Sequence, residues 1–253
     1  MELPKITQKQ KQILLLLYRF RFLDRKQIQT LLNHKTFNRV NTWLKDLTDK
    51  DYIKRILDTE SKINVIPTKY YLSKKAIRLL KDLPECEPTY LTKLYREHKR
   101  SKAFIDQSLF IADIYLYLLE KYNSNKGFAF YTQSEYSLNG LIKEVFPLFV
   151  FRKRGKEPYF LAEIFREGTP KRAYIPKIEK YIQFASSSKW LNQEQQPKIL
   201  LICPDSKLKK SIYRETRNLL ADESDDHEIF ITTKDQIEKS SVEGEIWERV
   251  EIE

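Results

Sequence analysis

A single carboxylate stands in the apolar run FLAEIF, Phe160 to Phe165: Glu163, followed by Arg166, Glu167 and a Gly168–Thr169 turn. An acid on such a strand can take part in metal-assisted phosphodiester hydrolysis if two further groups join it. A second acid on the preceding strand helps to hold a divalent ion, and a lysine two residues after the first acid positions the attacking water and offsets charge developing on the phosphate. Here Phe165 occupies the lysine position, and the preceding strand reads Pro147–Leu148 where the second acid would fall. Glu135, Glu144, Glu167, Lys171 and Lys177 lie close enough along the chain to rebuild a site. Glu135, Glu163 and Lys177 are therefore the catalytic candidates of a rearranged centre that would need magnesium; otherwise no cofactor and no metal site is implied. An ionised, unpaired Glu163 on an apolar strand is costly, so it is expected to meet a basic group such as Lys177 or to hold its proton to higher pH.

A second set of residues suits binding rather than bond cleavage. In KTFNRVNTWLKDLTDKDYI the residues Phe37, Val40, Leu44 and Leu47 fall on one face of a helix. The opposite face carries Asn38, Arg39, Asn41, Thr42 and Lys45, with Lys35 just before it. Amides and guanidinium groups read base edges in a major groove, while lysine and threonine reach phosphates. Arg55, Lys62 and Lys69 on the following strands and loop would add phosphate contacts. His34 is expected to serve as a turn residue or phosphate donor, and Trp43 to pack against its own domain. No phosphate loop, dinucleotide-binding turn, paired metal-histidine motif or nucleophile elbow occurs in the chain.

The elements that must position these residues follow from caps and periodicity. Thr7 caps a helix with Ile13, Leu14, Leu17 and Phe20 on its apolar side, and Asp24 caps the short helix RKQIQTLL. After the polar-faced helix come a strand in DYIKRILDTE, a loop through SKINVIP, and TKYYLSKKAIRLL, a strand running into a helix capped by Ser73. Three helices, strand, loop, strand and helix form the order of a winged helix-turn-helix DNA-binding domain, residues 1–83. Pro84 and Pro88 mark a break, and residues 84–103 read as a helical connector within a pattern sustained for about thirty residues. From residue 104 to 253 the order is helix, three strands (Phe128 to Tyr136, LIKEVFPLFVFRK, YFLAEIF), helix, strand KILLICP, helix, strand EIFITT. The predicted fold class is thus an α+β winged helix followed by an α/β restriction-endonuclease-like domain with a mixed sheet.

Charge divides the chain in the same way. Residues 1–103 hold 24 Lys+Arg against 11 Asp+Glu, a net of +13, and the remainder holds 22 against 24, a net of −2. A polyanionic partner is therefore sought at the N-terminal domain. The longest apolar run near the start, Ile13 to Tyr18, is too short to span a bilayer, and no membrane partner is expected. Cys86 and Cys203 make no ligand pattern, which fits a reducing cytoplasm.

The ending TKYYLSKKAIRLL, a following helical stretch containing His98, the Pro147-led strand, the Glu163 strand with its Gly168–Thr169 turn, and the Lys177-x-x-x-Tyr181 helix together resemble the replication-relaxation proteins of bacterial plasmids and mobile elements. The resemblance covers roughly residues 7 to 235. It implies a winged helix joined to a restriction-endonuclease-like domain of the PD-(D/E)xK type, and a role in replication, relaxation or gene control of the element. Relatives tend to carry Pro-Asp on the second strand and Glu-x-Asp-Arg-Gly-Thr on the third, and both aspartates are replaced here, by Leu148 and Phe165. The expected protein binds double-stranded DNA, is catalytically degenerate, works as a homodimer on two half-sites, and meets replication, conjugation or transposition proteins. Its rivals are a divalent-metal nickase using the rearranged site and a protein-interaction adaptor.

Overall fold

Thr7 starts the first helix, α1 (Gln8–Phe20), through a reciprocal cap: its side chain accepts from the Gln10 N–H, and the Gln10 side chain accepts from the Thr7 N–H at 2.8 Å. Ile13, Leu14 and Leu17 are fully buried, as their spacing predicts. β1 (Leu23–Asp24) leads into α2 (Arg25–Leu31), where Asp24 and Gln27 repeat the reciprocal cap. α3 (Phe37–Asp49) buries Val40, Leu44 and Leu47. β2 (Ile53–Ile56) and β3 (Lys69–Leu72) pair antiparallel, and β1 pairs on the other side of β3 in the order β1-β3-β2. Ser73 caps α4 (Lys74–Leu80) by accepting from the N–H groups of Lys75 and Ala76.

The computed structural model describes residues 5–56, 67–122, 127–136, 146–153, 158–186, 196–221 and 227–252. The chain is α+β with a mixed sheet and forms two compact units, Met1–Leu116 and Tyr117–Glu253. Among the described residues no helix is long and apolar enough to cross a membrane.

The helical pattern predicted to run on after Pro88 is broken in the structure. It comprises α5 (Pro88–Leu94), a 3-10 turn Glu97–Lys99, which holds His98, and α6 (Lys102–Lys121). Glu87 caps α5 by accepting from the N–H groups of Thr89 and Tyr90, and Ser101 caps α6 by accepting from the Phe104 N–H at 3.3 Å. Between them the Glu97 carboxylate turns inward to Arg21, 2.5 Å away. Residues 84–103 are also more than a connector: Cys86, Tyr90, Leu91 and Leu94 are buried in the first unit, and the Glu87 N–H donates to the Tyr18 hydroxyl at 2.7 Å.

The second unit is built on a sheet of order β4-β5-β6-β7-β8-β9: β4 (Phe128–Thr132), β5 (Phe149–Lys153), β6 (Phe160–Ile164), β7 (Lys198–Cys203), β8 (Ile229–Thr233) and β9 (Glu248–Arg249). β6, β7 and β8 run parallel, whereas β4–β5, β5–β6 and β8–β9 pair antiparallel. Parallel neighbours need crossover connections, which α7 (Lys171–Ser186) and α8 (Ser206–Ala221) supply. Leu161, Ile199, Leu201, Ile229 and Ile231 pack with Ile178, Ile182, Ile212 and Leu220 in one core. Two elements lie beyond the predicted end of the sheet: α9 (Lys234–Ser240), capped by Thr233, and β9.

Candidate nucleic-acid interface

The core side of α3 fixes its outer side. With Val40, Leu44 and Leu47 held inward, Asn38, Arg39, Thr42 and Lys45 are exposed and Asn41 partly so, with Lys35 exposed in the turn before. The Thr42 hydroxyl donates to the Asn38 carbonyl at 3.0 Å, so it is engaged with its own helix. His34 steadies the entry to α3: its Nδ1 accepts from the Thr36 N–H at 3.2 Å, and its ring meets Trp43 edge-on at 5.0 Å. Trp43 is half-buried in this contact.

The cations differ in whether an acid answers them. Lys50 lies 2.7 Å from Asp46 and Lys54 2.6 Å from Asp51. Lys35, Arg39, Lys45 and Arg55 have no acid partner among the described residues. Lys69, expected to reach a phosphate, is instead 13% exposed and bonded to Asp106 of α6 at 3.1 Å. Lys62 lies outside the described residues. One cation escaped the sequence pattern. Arg25 opens α2, away from the α3 face, yet its guanidinium stacks 3.9 Å over the Phe37 ring at the start of α3. Burial pushes the Tyr70 hydroxyl pKa up, while Arg55 and Arg25 pull it back, which places both arginines in electrostatic reach of one β3 side chain.

In the second unit, β6 delivers Glu163 to the core side of the sheet, where it is 3% exposed. Two residues of α7, one helical turn apart, meet it: Lys177 Nζ lies 2.6 Å from Glu163 Oε2, and the Tyr181 hydroxyl donates to the same oxygen at 2.9 Å. Burial pushes the Glu163 carboxyl above the usual range, although Lys177 and the Tyr181 hydrogen bond pull the other way. The Tyr181 hydroxyl is also driven well up, by burial first and by the neighbouring carboxylate second.

The remaining catalytic candidates do not gather here. Glu135 stands in the turn after β4, not on the strand, and its Oε2 accepts from the Thr132 N–H at 2.9 Å. Lys171 pairs with Glu215 at 2.7 Å, Glu167 is exposed, and Glu144 lies outside the described residues. Phe149 pairs with Ala162, so Leu148 falls opposite Glu163 when the antiparallel register is extended by one residue. The position of a second acid is thus filled by an alkyl side chain, and Phe165 is buried edge-on to Tyr174 at 6.1 Å. These residues do not fit a divalent ion. A hard cation such as magnesium wants several oxygen ligands in open geometry, and Glu163 Oε2 already takes a lysine and a tyrosine. Among the described residues no group of three His, Cys, Asp or Glu is placed to hold a metal.

A family model described as replication-relaxation matches residues 14–198, well over half of the chain. The chain belongs to the replication-relaxation family. Membership gives this replication-relaxation chain a field of action in replication or relaxation. The match takes in most of α1 and all elements from β1 to α7, so both the α3 face and the Glu163–Lys177 pair lie within it. No curated protein and no solved structure matches the chain.

Proposed function

We propose that this replication-relaxation protein binds double-stranded DNA of a plasmid or other mobile element through its first unit. That unit is read as a winged helix-turn-helix, with α3 in the major groove and the β2–β3 ribbon beside the backbone. The observation that carries the proposal is the outer face of α3, where Asn38, Arg39, Asn41 and Lys45 stand together and the cations have no acid partner among the described residues. A guanidinium or amide so placed can satisfy base-edge acceptors, and unpaired cations release counterions from the duplex when they bind. The second unit is read as a restriction-endonuclease-like domain that has kept its sheet and lost its centre, and that serves dimerisation or docking of replication, conjugation or transposition proteins. Fluorescence anisotropy with random duplexes at low salt tests the proposal. Binding that weakens at least tenfold in Arg39→Glu/Lys45→Glu supports it, and folded protein that binds no duplex overturns it.

One observation favours a second reading. The lysine missing after Glu163 is met in space by Lys177. If the pair belongs to a working nickase, supercoiled plasmid incubated with magnesium or manganese is nicked by the native chain and left intact by Glu163→Ala. With no second carboxylate beside Glu163 among the described residues, the plasmid is expected to stay supercoiled with both proteins.

A further inference from the structure

We propose that the second unit has its own contact surface for the sugar–phosphate backbone of duplex DNA, a cationic track along the outer face of α8. The track shares no residue with α3, so it stands or falls separately from docking by that helix.

The sequence of α8 builds the track. Ile212, Thr216 and Leu220, spaced one turn apart, are buried in the second unit and fix which side of the helix turns outward. Lys207, Lys210, Arg214 and Arg217 follow at intervals of three, four and three residues, which puts them on one face away from that core side. The first three are exposed and Arg217 is half-buried. At a rise of about 1.5 Å per residue they extend over roughly 15 Å. One strand of a duplex presents about four phosphates along such a length.

Nearby acids leave this charge standing. α8 holds five Lys+Arg against one Asp+Glu, inside a unit where the two kinds are equal in number. Its acid, Glu215, is 8% exposed, and its Oε1 is shared by Lys171 of α7 at 2.7 Å and Arg214 at 3.4 Å. Asp205, just before the helix, accepts from the Leu208 N–H at 2.7 Å. The fifth cation, Lys209, lies off the track and meets Glu248 of β9 at 2.8 Å. Lys207 and Lys210 have no acid partner among the described residues. A row of cations suits phosphates, which position a duplex without reading its sequence. It does not suit a lipid surface: the exposed large apolar side chains among the described residues are Phe146 and Ile252, neither on α8, and a membrane-surface helix needs such side chains to seat in the interface.

Fluorescence anisotropy of the full chain with duplexes of several sequences, from low to physiological salt, tests the track. Lys207→Gln/Lys210→Gln should weaken binding equally on every sequence and lower the slope of log affinity against log salt by roughly 2, close to one per phosphate contact removed. Each single change should lower it by about 1, which keeps the test open if the double variant does not fold, and Lys207→Arg/Lys210→Arg should restore the native slope. The same loss is expected in the Arg39→Glu/Lys45→Glu background. If the α3 changes weaken binding while the α8 changes leave affinity and slope untouched, the track is overturned and the α3 reading stands; the converse result keeps the track and removes the α3 reading. Weakening confined to one sequence would also overturn it. So would poly-glutamate that displaces the duplex at equal charge concentration, an outcome that favours an acidic protein partner.

Discussion

At Glu163, burial and a cation pull one proton in opposite directions. The carboxyl lies inside the core, and burial outweighs the pull of Lys177 and Tyr181, so the folded chain holds the proton more tightly than the unfolded chain does. The sign follows directly: the contribution to stability is fully present below the ordinary carboxylate pKa and is lost as pH rises through the raised folded value. Glu163→Gln keeps a partner for Tyr181 and removes the titration. Melting temperatures recorded from acid to neutral pH should fall with pH in the native chain relative to this variant. A constant difference would contradict the assignment. Lys177→Met leaves the carboxylate with the Tyr181 hydrogen bond and the charge of Arg166, and the expected loss at neutral pH is about 1–3 kcal/mol once the partial exposure of the lysine is allowed for. Denaturant unfolding at two pH values measures it, and the loss should shrink in acid.

At the scale of elements, α3 separates stability from binding. Leu44 is 1% exposed, so Leu44→Ala should cost about 2–5 kcal/mol of unfolding free energy. Arg39→Glu and Lys45→Glu should leave unfolding within about 0.5 kcal/mol of native while weakening duplex binding, since surface changes away from packing do little to stability. The same helix shows what the sequence reveals. The spacing of Val40, Leu44 and Leu47 reports the core side, and the polar residues between them report the outer side, because both are local. The break between α5 and α6 is not local: Glu97 turns inward for Arg21, which lies 76 positions earlier. Lys69 is likewise taken by Asp106, 37 positions later. The meeting of Lys177 with Glu163 was foreseen because burial demands a counter-charge, whereas Glu135 was misplaced because the strand pattern continues past Thr132. Glu87 offers a test of the shorter caps. Glu87→Ala should cost about 0.5–2 kcal/mol, read by chemical denaturation, through loss of the cap on α5.

For the whole molecule, the charge asymmetry follows the division into two compact units. Residues 1–116 hold 24 Lys+Arg against 13 Asp+Glu, and residues 117–253 hold 22 against 22, so the first unit carries the entire net charge of +11. Duplex affinity measured from low to physiological salt should give a linear log–log plot. Neutralising Lys35, Arg39, Lys45 and Arg55 together should reduce its slope by roughly 3–4, close to one per phosphate contact removed. An unchanged slope would place the phosphate contacts elsewhere. The second unit raises a separate issue at its margin. β9 is two residues long, yet Arg249 and Glu248 pair with Phe230 and Ile231, and the Val250 N–H reaches the Ile229 carbonyl at 2.9 Å. Without that pairing, β8 would present open backbone groups at the sheet edge, a template on which another copy can add a strand. Deleting residues 248–253 should therefore produce concentration-dependent aggregates in light scattering before it alters DNA binding. Two exposed charged residues, anchored by the buried Val250, thereby decide whether the sheet stops at its own margin or grows into a neighbouring molecule.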